Sequence, residues 1–220
     1  MKHRILISLL ISIFGYTLSL PAAQNTPPNH EALQKALDGL VQYQYGRSDL
    51  HLQTIEQTVI AAQTNAVLRR ALEQGLIKVL KQNGTEAGQK FICRQLSLVG
   101  SEQSVPALAQ LLNQPKLTHM ARFALERIPG AAAEDALLAG LRQAQGMVKV
   151  GIINSLGNRR VSRAVDALIP LLEDQDEETA QAAAASLGKI GSLAASRALS
   201  EFNTQADQSL SLHVEDAMLR

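Results

Sequence analysis

Residues 182–191 read Ala-Ala-Ala-Ala-Ser-Leu-Gly-Lys-Ile-Gly, and their Ser-Leu-Gly at 186–188 repeats the Ser-Leu-Gly at 155–157. Working back from Leu187, leucines recur at Leu156, Leu125 and Leu96, separated by 31, 31 and 29 residues. A second series, Leu108, Leu137, Leu168 and Leu199, keeps the same intervals. Two positions holding one register mark tandem supersecondary units.

Each period holds two helical patterns. Val105, Leu108 and Leu112 form one apolar stripe at helical spacing, matched by Val165, Leu168 and Leu172. Ile92, Leu96 and Val99 form the other, matched by Ala121, Leu125 and Ile128 and by Ala183, Leu187 and Ile190. Breakers separate them: Asn113-Gln114-Pro115 parts one pair, and Pro129-Gly130 stops the next helix, because proline has no N–H to donate. Asp176 is placed to cap a helix starting at Glu177. Two short helices cannot bury two apolar stripes between them, so the pairs must stack on their neighbours. The expected fold is all-α, a right-handed α-solenoid (α-α superhelix) of antiparallel helix pairs, with the alanines at 180 and 182–185 allowing close approach.

The segment from Glu177 to Leu199 resembles a HEAT repeat of the short bacterial, lyase-like type, and Val165 to Leu172 resembles the first helix of such a unit, with Pro170 at the kink common there. The resemblance runs from about residue 86 to 203 and implies an ARM/HEAT-like superhelix in a secreted bacterial HEAT-repeat protein. Residues 86–220 are therefore expected to be HEAT repeats, and residues 31–85 a divergent helical cap with helices at 30–45, 49–64 and 67–82. One more period beyond Leu187 reaches Met218 in Val214–Leu219, so the last repeat is expected to be incomplete and its helix to offer a docking face.

Composition agrees with helices. Of 220 residues, 46% are hydrophobic but only 3% aromatic, with no Trp, so the core is built from Leu, Ile, Val and Ala, of which Leu and Ala are strong helix formers. The net charge of +1 gives no general attraction to nucleic acid or anionic lipid. The first residues stand apart. Lys2, His3 and Arg4 form a basic start, Ile5 to Leu20 an apolar run, and Pro21-Ala22-Ala23 a small-residue cleavage stretch. Residues 1–23 are expected to be a signal peptide and 24–30 a disordered linker, placing the protein in the periplasm or outside the cell. An uncleaved anchor is the alternative, although the run is shorter than the ~20 residues that span a bilayer.

Chemistry is sparse in the sequence. His30-Glu31 lacks the second His of a zinc-protease helix, Ser186-Leu187-Gly188-Lys189 matches Ser-x-x-Lys only loosely, and neither a phosphate loop nor a Gly-x-Ser-x-Gly elbow occurs. Cys93, the only cysteine, lies among Phe91, Ile92 and Leu96 and reads as a buried small hydrophobe. No catalytic residue, metal or cofactor is expected. The second helices carry Lys90 and Arg94, then His119 and Arg122, then Lys149, which stacked would make a basic stripe on a concave face for an acidic peptide or glycan. Tyr43, Tyr45 and Arg47 gather two tyrosines beside an arginine, a composition favoured at interfaces. Arg159 and Arg160 read as surface residues of a turn. The expected function is a non-enzymatic scaffold for another protein or peptide, with no nucleic acid bound and no membrane span after cleavage. The resemblance also implies two alternatives, a bilin-lyase-like factor and a nucleic-acid-binding protein.

Overall fold

The computed structural model describes residues 29–47, 50–203 and 217–219. No strand occurs among them. Helices pair in chain order: α1 (His30–Leu40) with α2 (Leu50–Ala62), α3 (Ala66–Leu80) with α4 (Glu86–Val99), and α5 (Val105–Ala109) with α6 (Thr118–Arg127). Then follow α7 (Ala131–Leu141) with α8 (Gly146–Asn158), α9 (Val165–Leu168) with α10 (Glu177–Ile190), and finally α11 (Leu193–Asn203). The second helices stack side by side, α2 on α4, α4 on α6, α6 on α8 and α8 on α10. This is an α-solenoid.

The repeat register becomes the core. All eight leucines of the two series, from Leu96 to Leu199, are at most 1% exposed. Burying a leucine contributes about 1.5–3 kcal/mol, so each unit draws most of its stability from neighbours that cover these side chains. Proline falls in the first helix of two units, with different results. Val165–Leu168 is α-helical, then Ile169–Glu173 tightens into a 3-10 turn at Pro170, which has no N–H for the i−4 carbonyl. Pro106 instead sits in the first turn of α5, where no N–H is needed.

The structure refines several expectations. The helix expected over 30–45 stops at Leu40, and the sequence boundary at 86 separates α3 from its own partner α4. The linker expected over 24–30 gives way to structure at Asn29, whose side chain accepts from Ala32 N at 2.8 Å and caps α1. Asp176 does not cap α10 through its side chain; it accepts instead from the Thr179 hydroxyl at 2.6 Å. One period beyond Ser186, the residue packed on α10 is Ala217, 5% exposed, while Met218 is 47% exposed. Met218 stands one period beyond Leu187, as counted, but unlike the leucines before it this position is not buried. The leader expected over 1–23 and the segment 214–216 lie outside the described residues.

Ser-Leu-Gly has a structural meaning at each letter. Leu156 and Leu187 fill the core, and Ser186 Oγ donates to Ile153 O of the preceding second helix at 3.0 Å. Gly157 and Gly188 admit the following one: a Cβ on Gly157 would lie 2.8 Å from Ser186 Cα, and one on Gly188 would lie 2.8 Å from Ala217 Cα. Two residues after Asn158 the chain turns left-handed at Arg160 (φ 52°), as it does at Gly191 (φ 64°), the same position one period later. A left-handed turn costs a side-chain-bearing residue about 1–2 kcal/mol and glycine little.

Two substitutions should therefore act in opposite directions in thermal melts. Gly157→Val forces α8 from α10 and is expected to destabilise by about 1–3 kcal/mol. Arg160→Gly relieves the turn and is expected to raise Tm by about 2–4 °C. A Gly157→Val protein that melts like the wild type would show that the two backbones are not in close contact.

Candidate functional site

The five cations of the expected stripe divide into two groups. Arg122, on α6, is turned into the interface with α8, donating from Nη1 to Gly151 O at 2.8 Å and to Ser155 Oγ at 3.2 Å. Gly151 leaves the space it occupies, and burial pulls the guanidinium's pKa down. Ser155 Oγ in turn donates to Glu126 Oε1 at 2.6 Å. Lys149 reaches across to Asp174 at 2.6 Å, and this hydrogen bond holds the Asp174 carboxyl below its ordinary range. Both cations hold units together, so neither extends the stripe outward.

The remaining cations lie toward the start of the solenoid. Lys90 pairs with Glu86 one turn earlier at 2.6 Å, an arrangement that raises the lysine and lowers the carboxyl. Arg94 and His119 are exposed. Lys116, which the sequence reading passed over as a turn residue beside Pro115, is 81% exposed and lies 3.7 Å from the same Glu86. The aromatic loop joins this group. The Thr85 hydroxyl and backbone N–H donate to Tyr43 O and Val41 O, fastening residues 41–43 to the start of α4. Tyr43 and Tyr45 meet edge to face with ring centroids 6.1 Å apart. Tyr45 is 70% exposed and within electrostatic reach of Lys90. Arg47 is exposed beyond them. The structure thus fastens the tyrosine loop to the start of α4, the helix that carries Lys90 and Arg94, whereas Arg122 and Lys149 are engaged at seams between units.

Buried polar groups between units form a second class that the sequence reading missed. Arg159, expected at the surface, is 11% exposed in its side chain. Its Nη1 donates to the carbonyls of Leu125 (2.8 Å), Glu126 (3.0 Å) and Ile128 (2.7 Å), and Nη2 to Gly130 O (3.2 Å), closing the end of α6 from the next unit. Those carbonyls have no partner within their own helix, which is why a guanidinium fork is drawn in. Exposed Arg69 of α3 closes the end of α4 in a similar way within its own helix pair, donating to Leu98 O and Val99 O. Glu73, buried, accepts from Ser101 N at 2.6 Å and Ser104 Oγ at 2.6 Å. Its signal in the sequence was a carboxylate set inside the apolar stripe Leu72, Leu76 and Val79.

The HEAT repeats family matches residues 134–217, which run from α7 through α11 to Ala217. No curated protein sequence matches the chain significantly. Among solved structures the chain is similar to human deoxyhypusine hydroxylase in complex with glycerol, at 14% identity over 86% of this chain and 96% of that one, with a TM-score of 0.41. It is also similar to a designed armadillo repeat protein in complex with the peptide (KR)4, at 15% identity over 85% of this chain and 98% of that one, with a TM-score of 0.43. Ser155, Arg159, Asp174 and Ser186 lie within the matched segment and Glu126 just before it, all at seams between units.

Cys93 sits in the core of α4, fully buried, and burial pushes its thiol up to about 12. It is a protonated packing residue at neutral pH, because a desolvated thiolate is strongly disfavoured. Among the described residues, no three His, Cys, Asp or Glu side chains are grouped to hold a metal ion, and no helix is long and apolar enough to cross a membrane.

Two measurements probe this division. Arg159→Met should lower stability by about 2–3 kcal/mol in urea denaturation, whereas Arg94→Met should change it by less than about 0.5 kcal/mol. A thiol reagent should label Cys93 only as the protein unfolds; rapid labelling of the native protein would contradict its burial.

Proposed function

We propose that this chain is an exported, non-enzymatic HEAT-repeat scaffold that binds an acidic segment of another protein. The observation that carries the reading is the set of outward side chains on and beside α4 and α6: exposed Tyr45, Arg94, Lys116 and His119 and half-buried Lys90, with Glu86 the carboxylate beside Lys90 and Lys116. Tyrosine offers a large contact area at low entropic cost, and cations around it steer an acidic partner. The inward polar residues are already engaged between units, so binding is assigned to these outward ones. Export follows from the basic start, apolar run and small-residue stretch of residues 2–23.

The test is crosslinking capture from the cell envelope with the wild type and an Arg94→Glu/Lys116→Glu/His119→Glu variant. Loss of the wild-type partners, with an unchanged melting curve, is expected. Retention of the same partners would remove the patch from consideration. Fractionation of the same cells should find a chain shortened by about the length of the leader outside the cytosol; a full-length cytosolic chain would sink the export reading.

A further inference from the structure

Along the solenoid, the turn that joins a first helix to its second helix meets the neighbouring unit's turn or the helix start beside it. Lys116, before α6, lies 3.7 Å from Glu86, which opens α4. Asn113 Nδ2 donates to Gln143 Oε1 at 3.4 Å, joining the α5–α6 turn to the α7–α8 turn. Lys149 of α8 reaches Asp174, in the turn before α10, at 2.6 Å. These contacts, one at each seam, make a continuous edge of turns.

Charge is sorted along this edge. Residues 81–90, 113–120 and 142–150 hold Lys81, Lys90, Lys116, Arg142 and Lys149 against one carboxylate, Glu86. Lys90 is held by Glu86 and Lys149 by Asp174. Lys81, Lys116 and Arg142 are exposed, one cation from each of three successive turns. The next turn reverses the sign: residues 173–178 hold five carboxylates and no cation, and Glu173, Asp176, Glu177 and Glu178 are exposed. At the opposite end, the loop fastened by Thr85 carries exposed Tyr45, edge to face with Tyr43.

Neighbouring helices pack about 8–10 Å apart, so cations set one per turn recur at about that interval. A polyproline-II segment has three residues per turn and rises about 3.1 Å per residue, which brings every third side chain to one face about 9 Å apart. A strand repeats a face about every 6.6 Å and falls out of step. Proline-rich segments of this form also dock on exposed aromatic rings. We propose that the acidic partner segment lies along this edge in polyproline-II form, with a carboxylate at every third residue meeting Lys81, Lys116 and Arg142 in turn. Tyr45 receives proline at one end of the track, and the acidic turn at 173–178 closes the other. The inference rests on the scaffold reading above, and charge complementarity gives it an acidic occupant. Exposed ion pairs are individually weak, so the binding is reversible and falls with salt.

Fluorescence anisotropy of the full chain with the peptide (Glu-Pro-Pro)3 tests the spacing. It should bind at least about fivefold more tightly than a peptide of the same composition with its glutamates contiguous, or than an alanine-based helix with glutamates seven residues apart. Lys81→Glu and Arg142→Glu, both at exposed positions, should each weaken it at least about threefold with unchanged melting curves. Glu173→Lys/Glu178→Lys should favour (Glu-Pro-Pro)4 over the shorter peptide about threefold more than the wild type does. Equal binding of the spaced and contiguous peptides overturns the proposal, as do tighter binding of the helical peptide and indifference to Lys81→Glu and Arg142→Glu. Envelope capture separates this from the scaffold reading. Partners lost by Arg94→Glu/Lys116→Glu/His119→Glu but kept by Lys81→Glu/Arg142→Glu overturn the track alone; partners kept by both overturn both.

Discussion

Everything in this molecule depends on how closely one second helix can approach the next. At Gly157 the backbone of α8 leaves no room for a Cβ beside Ser186, and at Gly188 α10 leaves none beside Ala217. That closeness allows Leu156 and Leu187 to be fully buried and lets Ser186 reach a carbonyl of the previous unit. A wider spacing would open voids around the leucines, and close-packed interiors lose dispersion contacts steeply when gaps appear. The small residues of the motif are thus as necessary to the fold as the large ones.

Close approach also creates a problem at the seams, where helix ends and inter-unit turns expose backbone carbonyls and N–H groups to a dry environment. The chain answers with buried ionic side chains. Arg159 gathers the carbonyls ending α6, and Glu73 takes the N–H and hydroxyls of Ser101 and Ser104. Arg122 and Lys149 belong to the same set. Each ties one unit to the next and is unavailable to a partner. Among the outward groups are Tyr45 and several basic residues near the start of the stack.

The repeat was legible because period and burial are both one-dimensional properties. Leucine spacing gave the helix pairs, Pro129-Gly130 and Asn113-Gln114-Pro115 gave their ends, and Pro170 gave the tightened turn. The candidate site was only half legible. Lys90, Arg94 and His119 lie on exposed or half-exposed positions as a helical count suggests, but Arg122 and Arg159 could not be told from surface arginines. A guanidinium is long enough to reach an adjacent unit, and nothing in its local sequence says which carbonyls are left open there. Lys116 was missed for the opposite reason, since a turn position says little about which carboxylate lies across from it.

Sequence alone determined that the chain is a stack of helix pairs, because an apolar stripe repeated every 29 to 31 residues can be hidden only by copies of itself. It also determined where helices break, since proline and glycine act within a few residues of their own position. Only the tertiary structure decided which charged groups are structural and which are free. That outcome depends on the distance between residues about 30 apart in the chain, fixed to fractions of an ångström by how the intervening unit packs.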